Sequence, residues 1–97
     1  MLNTGTITVG RISYIYDTEN IIEVTVASIR DDEEPIKIPI QIGANMMENI
    51  KSYCHIGDII GVKGRLKNHD NSLIVAADKV TFLSSSKTDQ ERRWLEW

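Results

Sequence analysis

The stretch IKIPIQIGANMMENIKSYCHIGDIIGVKGRLK, residues 36–67, decides the fold. It opens with Ile36, Ile38, Ile40 and Ile42 at strict period two, interleaved with Lys37, Pro39 and Gln41. That alternation predicts a strand with one buried face. Pro39 has no N–H to give to a ladder, which places the strand at an edge or at a local break. Gly43 ends it. Asn45 followed by Glu48 has the form of a capping box, and a helix is predicted over 46–54. Met46, Ile50 and Tyr53 form its apolar side, with Met47 and Cys54 close by. Gly57 and Asp58 close the helix. Ile60, Val62 and Leu66 then share one face of a further strand, with Gly64 leaving a gap between them. Lys63, Arg65 and Lys67 take the opposite face.

Working outward, Ile7-Thr8-Val9 begins a first strand that Ile12, Tyr14 and Tyr16 continue. Gly10 permits a bulge or a bend within it. Residues 17–20 form a turn, and Ile22, Val24 and Val26 alternate with polar neighbours in a second strand. The polar, acidic run 30–35 is a hairpin loop ending at Pro35. Downstream, 68–71 is a turn and 72–83 is a fifth, bent strand whose least regular part is Ala76-Ala77-Asp78. Residues 1–83 thus form one domain, and 84–97 a polar tail ending Glu-Arg-Arg-Trp-Leu-Glu-Trp. Three strands, a short helix and two strands is the order of the five-stranded OB barrel, in which a helix joins strands three and four. The fold class expected is therefore all-β. An open five-stranded sheet with one helix on a face is the competing architecture.

The chain has 97 residues, enough for one small core without metals or disulfides. Its formal net charge is -3, which argues against a wholly basic nucleic-acid binder and leaves room for a local basic patch. The single cysteine, Cys54, offers no intramolecular disulfide and reads as core packing. No signal peptide and no membrane span is evident, so a cytoplasmic location is expected. Catalysis is not expected. His55 and His69 are isolated, and no paired metal ligands, phosphate-binding glycine loop or nucleophile motif stands in the sequence. No cofactor is expected.

Lys63, Arg65 and Lys67 would lie roughly 6.5–7 Å apart along a strand, close to the spacing of phosphates in an extended single strand. On pattern alone a solvated charged face is the commoner meaning. Arg11 and Lys37, on other strands, are candidates to extend the row. Tyr14 and Tyr16 share one strand face and suit either base stacking or a wall of the core. Tyr53 and Phe82 are assigned to the core. Asp31, Asp32, Glu33 and Glu34 would repel phosphates if they overhung the row, and suit a solvated hairpin tip equally well. Trp94, Leu95 and Trp97 give the tail an apolar character that fits an oligomer or partner contact.

The run Gly57-Asp58-Ile59-Ile60-Gly61-Val62-Lys63-Gly64-Arg65-Leu66 resembles the G-D-x-V-x-V-x-G-x-L signature of the bacterial single-stranded DNA-binding proteins. Thr8-Val9-Gly10-Arg11-Ile12 is similar to that family's first strand, and Val75 to Leu83 to its closing strand. The similarity covers residues 3–83 and extends to primosomal replication protein B. It implies an OB fold, assembly into a homodimer or homotetramer, and single-stranded DNA binding with little sequence preference. Roles in replication, recombination or repair follow, with replication proteins as candidate partners. Lys63, Arg65 and Lys67 match the strand that helps form the family's basic surface. Ile36 and Ile42, by contrast, stand where the family usually carries a stacking tryptophan and phenylalanine. The tail also lacks the family's acidic tip. The alternative these departures leave is an OB-fold interaction module that has lost most of its nucleic-acid affinity.

Overall fold

A computed structural model describes residues 5–27, 33–84 and 95–96 of the chain. Its elements are β1 (Gly5–Tyr16), β2 (Ile21–Val26), β3 (Ile36–Gln41), α1 (Ala44–Tyr53), β4 (Ile59–His69), β5 (Ser72–Ser84) and the two-residue β6 (Leu95–Glu96). A 3-10 turn over Asp17–Glu19 joins β1 to β2 and ends on Asn20 in the left-handed region.

The sheet runs β3-β2-β1-β4-β5-β6. Long β1 serves two neighbours in succession. Its first half pairs with β4, from Gly5 opposite Arg65 to Arg11 opposite Ile59, and its second half pairs with β2 from Arg11 to Tyr16. Such a switch requires a sharply coiled strand. Gly10 permits it, because a Cβ there would overlap the carbonyl oxygen of Thr25. Parallel pairing of Ile40 and Gln41 with Val75 and Ala76 joins β3 to β5. The five strands β1–β5 therefore close into a barrel, and the helix lies between β3 and β4: this is the OB fold, not the open sheet. Pro39 sits where β3 has no β5 neighbour, one residue short of that closure, so its missing N–H costs no ladder bond on that side.

The period-two isoleucines point as the sequence predicts. Ile40 and Ile42 are buried with Ile12, Ile22, Val24, Ile60, Val62, Val75, Val80 and Phe82. The helix differs in detail. It starts at Ala44, and Gly43, in an extended conformation, is its N-cap, accepting the Met47 N–H through its carbonyl. No side chain caps it, so Asn45 and Glu48 form no capping box. The buried stripe is Met47, Ile50 and Cys54, at spacings of three and four. Tyr53 falls off that stripe and is 57% exposed, so it does not belong to the core. Gly64 is not a gap either. The β5 backbone closes against it, and a Cβ would collide with the Ala76 carbonyl. Beside it, β5 carries an irregularity between the partners of Lys63 and Gly64, which leaves Asp78 as the extra residue. Turn residues Asp70 and Asn71 both adopt positive φ, as a two-residue hairpin with right-handed strand twist requires.

Candidate nucleic-acid interface

The strands give the barrel two unlike ends. At one, α1 packs Met47, Ile50 and Cys54 into the core beside Ile42, Ile60 and Phe82. The chain leaving the helix is held there by a network of short bonds. Asp58, itself buried, accepts the His55 N–H at 2.8 Å through Oδ2, and its carbonyl accepts the Ile12 N–H at 2.9 Å. The Gly57 N–H returns to the Ile12 carbonyl at 2.7 Å. Burial, and then the nearby Asp58 carboxylate, pushes the Cys54 thiol up to about 12, so the thiolate is suppressed. On the surface Lys51 pairs with Asp17 at 3.0 Å; that hydrogen bond and charge, with Glu48, raise the ammonium above its ordinary value.

Among the described residues, no helix lies over the opposite end. Here β3 begins, the β4–β5 hairpin projects, and β1 starts. Thr6, Thr8, Lys37, Ile38, Pro39, Leu66, Leu73, Ile74 and Val75 line a cleft of about 300 Å³. Leu66 and Leu73 are inward-phased on their strands yet 41% and 62% exposed, because the hairpin has run past the barrel wall. Ile36, also inward-phased, is 58% exposed at the same end. The two residues set at the stacking positions of the resembled family thus part company: Ile42 is core, whereas Ile36 stands on the rim.

The predicted cations of β3 and β4 divide between neighbouring surfaces. Lys63, Arg65 and Lys67 are all exposed along β4, and Lys37 lines the cleft. Lys67 donates from Nζ to Gln41 Oε1 at 3.0 Å, lying over the seam where β3 meets β5. Lys63 faces Ile7 on β1 and Lys79 on β5. With Gly5, Thr6, Gly64, Arg65 and Asp78, these two residues, Ile7 and Lys63, form a shallow groove of about 530 Å³. Arg65 is not free in it, since its guanidinium contacts Asp78 Oδ1 at 3.2 Å.

The remaining predicted site residues lie elsewhere. Arg11 stands where β1 passes from β4 to β2, and donates to the Gly57 carbonyl at 2.8 Å. Tyr14 and Tyr16 are exposed on the last turn of β1, opposite Glu23 and Ile21, with ring centroids 4.5 Å apart and planes inclined at 40°. From Ile7, the partner of Lys63, Tyr14 is seven residues along β1, roughly 23 Å of extended chain. Leu95 pairs through its backbone with Phe82, while Trp94 and Trp97 lie outside the described residues. So do Asp31 and Asp32; Glu33 and Glu34 are exposed before β3. Sequence reasoning missed the contribution of Leu66, Leu73 and Asp78. The signal available for Asp78 was a charge inside a strand, at the segment where alternation fails.

No protein-family model matches the chain, and no curated protein matches it. Comparison with solved structures finds the same barrel repeatedly. The mitochondrial single-stranded DNA binding protein Rim1 from S. cerevisiae superposes with a TM-score of 0.74 at 17% identity, over 89% of this chain and 100% of that one. A small single-stranded DNA-binding protein from Streptomyces coelicolor gives 0.62 at 20% identity, over 84% and 94%. The N-terminal domain of PriB from Thermoanaerobacter tencongensis, described as dimeric, gives 0.60 at 17% identity, over 84% and 98%. Each likeness is one of fold: the chain has the OB barrel of these proteins.

Proposed function

We propose that the protein binds single-stranded DNA with little sequence preference at the open end of its barrel. The observation that carries this reading is an aliphatic cleft lined by Lys37 that adjoins, through Thr6, a groove lined by Lys63 and Arg65 on an OB barrel. Phosphates follow the cations along β4, and bases lie against Ile36, Leu66 and Leu73 in place of aromatic rings. Aliphatic surfaces shed water against a base but lack a π-face, so each contact falls below the roughly 1–3 kcal/mol of an aromatic stack. Electrostatics then dominate, and affinity falls steeply as salt rises. The solved neighbours that bind single-stranded DNA by their own descriptions support the same reading.

The test is anisotropy of a labelled polythymidine oligonucleotide across a salt series. About three to four neutralised phosphates predict a slope of log Kobs against log salt near -2 to -3. Replacing Lys63, Arg65 and Lys67 together by alanine is expected to lower affinity by one to two orders of magnitude at low salt and to reduce the slope by about 2. A triple variant that binds like the parent sinks the site.

A second copy is the partner that the outer face of β1 favours. Val9 is 51% exposed, Gly61 beside it keeps the surface flat, and Ile7, 81% exposed, passes from this face into the Lys63 groove. Among the described residues, β2 pairs with β1 from Arg11 onward, which leaves the Thr6–Gly10 backbone a ladder on its β4 side. An exposed apolar strand with an available edge is an association site. The dimer described for the PriB domain agrees with this assembly. Light scattering of the parent and of Val9→Lys, outside the Lys63 groove, measures it, with a shift to monomer expected in the variant. A parent that is monomeric at high concentration removes the dimer.

A further inference from the structure

The β4 cations do not face the solvent alone. The irregularity in β5 inserts one residue opposite the Lys63–Gly64 step, and that residue is Asp78. Without it, strict alternation would send Asp78 and Lys79 to opposite faces. With it, both lie exposed, and the core resumes its phase at Val80. The bulge is tied to Gly64, whose lack of a Cβ lets the Ala76 carbonyl and the Ala77 backbone close in. The consequence is a carboxylate set at the centre of a row of cations, with Oδ1 3.2 Å from the Arg65 guanidinium and lining the same groove as Lys63.

Resting on the single-stranded DNA reading above, we propose that Asp78 is an electrostatic brake on that site: it occupies Arg65 in the free protein and must be displaced or endured by a bound phosphate. Two roles for a carboxylate beside an arginine are physically distinct. One holds the guanidinium in the pose that receives phosphate; the other competes with phosphate for it. Orienting carboxylates act from behind, in buried or bidentate geometry. This contact is a single one, and both side chains are about half exposed or more, at 65% for Arg65 and 50% for Asp78. Such a pair fixes a rotamer poorly. Its charge nevertheless stays in the groove when DNA arrives. Competition is therefore the stronger effect. The brake keeps the site weak and quickly released, and it makes Arg65 the cation whose contribution depends most on ionic strength.

The experiment compares the parent, Asp78→Asn, Arg65→Ala and the double variant, binding a labelled polythymidine oligonucleotide between 50 and 200 mM salt. Asparagine keeps the shape and the bulge, and a thermal melt of each variant reports folding independently. Removing one repelling charge about 5 Å from a phosphate is expected to tighten binding about three- to fivefold at 50 mM. The salt slope should steepen by about 0.7, so that the gain shrinks by a further two- to threefold at 200 mM. In the Arg65→Ala background the gain should be smaller than in the parent, because competition for Arg65 is gone while the direct repulsion between Asp78 and the phosphate remains. Binding that is unchanged or weaker in Asp78→Asn, while Arg65→Ala weakens the parent as expected, overturns the brake and leaves the DNA site standing. No salt-dependent binding by either the parent or Asp78→Asn overturns the DNA reading itself, and the brake with it.

Discussion

At the helix end of the barrel, Met47, Ile50 and Cys54 close over the isoleucine core, and Asp58 ties the helix exit to β1 through backbone bonds. At the other end, Ile36, Leu66 and Leu73 continue the same inward phase on the same sheet and stand exposed among lysines. The chemistry of the side chains hardly differs between the two ends. What differs is the cover. One end spends its apolar surface on stability. The other withholds it from the core and leaves it exposed beside Lys37, with the Lys63–Arg65 groove adjoining, which on the reading proposed above suits something apolar in its middle and anionic along its edge. An unpaired nucleic-acid strand has that character.

The sharpest way to break this comparison is to truncate one aliphatic side chain at each end. Ile50→Ala empties a fully buried site and is expected to lower unfolding free energy by about 2–5 kcal/mol in urea melts. Leu73→Ala, mostly exposed, should cost less than about 1 kcal/mol and weaken oligonucleotide binding instead. If Leu73→Ala destabilises the fold as much as Ile50→Ala, the open end is core and the distinction fails. Between the two ends lies Gly64. Gly64→Ala drives a methyl group into the β5 backbone and should cost about 1–3 kcal/mol, with loss of the bulge that presents Asp78.

How far the sequence foretold these two ends depends on which interaction set them. Period two along Ile36–Gln41 and the order of elements pointed to the barrel and left an open sheet as the alternative, because burial on one face dictates that pattern whatever the partner strand; the parallel pairing of β3 with β5 decides it. The cations on β4 were legible for the same reason. The helix start was not, since Gly43 takes the cap without a side-chain bond and so leaves no polar signature. Nor was the exposure of Leu66 and Leu73. Alternation tells which way a residue points, not whether the barrel wall is still there to receive it. The separation of Tyr14 and Tyr16 from Lys63 and Arg65 is likewise a matter of how β1 passes from β4 to β2, which no local pattern records.

Cys54 sharpens the comparison from the closed side. Its native thiol is pushed up to about 12 by burial and by Asp58, whereas an unfolded thiol ionises near 8.5. The native state therefore holds its proton over a range where the unfolded state has lost it. The sign follows: this contribution to stability is intact below about pH 8.5 and is lost progressively as pH rises towards the native value. A thiol reagent at pH 8 should label Cys54 at the rate of unfolding alone. Saturating oligonucleotide is expected to slow labelling only by stabilising the fold, because the proposed DNA site is at the other end. Rapid labelling of the folded protein would mean that the helix end opens.

The smallest effect expected belongs to Tyr14 and Tyr16. They are exposed, aromatic and in mutual contact, which makes them a credible stacking platform when considered alone. Yet they sit at the last turn of β1, opposite Glu23 and Ile21, at the end that α1 closes. Lys63 and Arg65 pair on the other side of β1, whereas Lys37 and the Gln41 that Lys67 bonds stand two strands away across β2, and Arg11 is engaged with the Gly57 carbonyl. An oligonucleotide of three thymidines that follows Lys63 and Arg65 spans only about 20 Å and is expected not to reach them. Tyr14→Ala with Tyr16→Ala should leave its affinity within about a factor of two, whereas Leu66→Ala with Leu73→Ala should not. Longer oligonucleotides give the finer discrimination. If affinity becomes sensitive to the tyrosines only beyond a threshold length, the strand path continues from the open end along β1, and Arg11 is the residue it must pass.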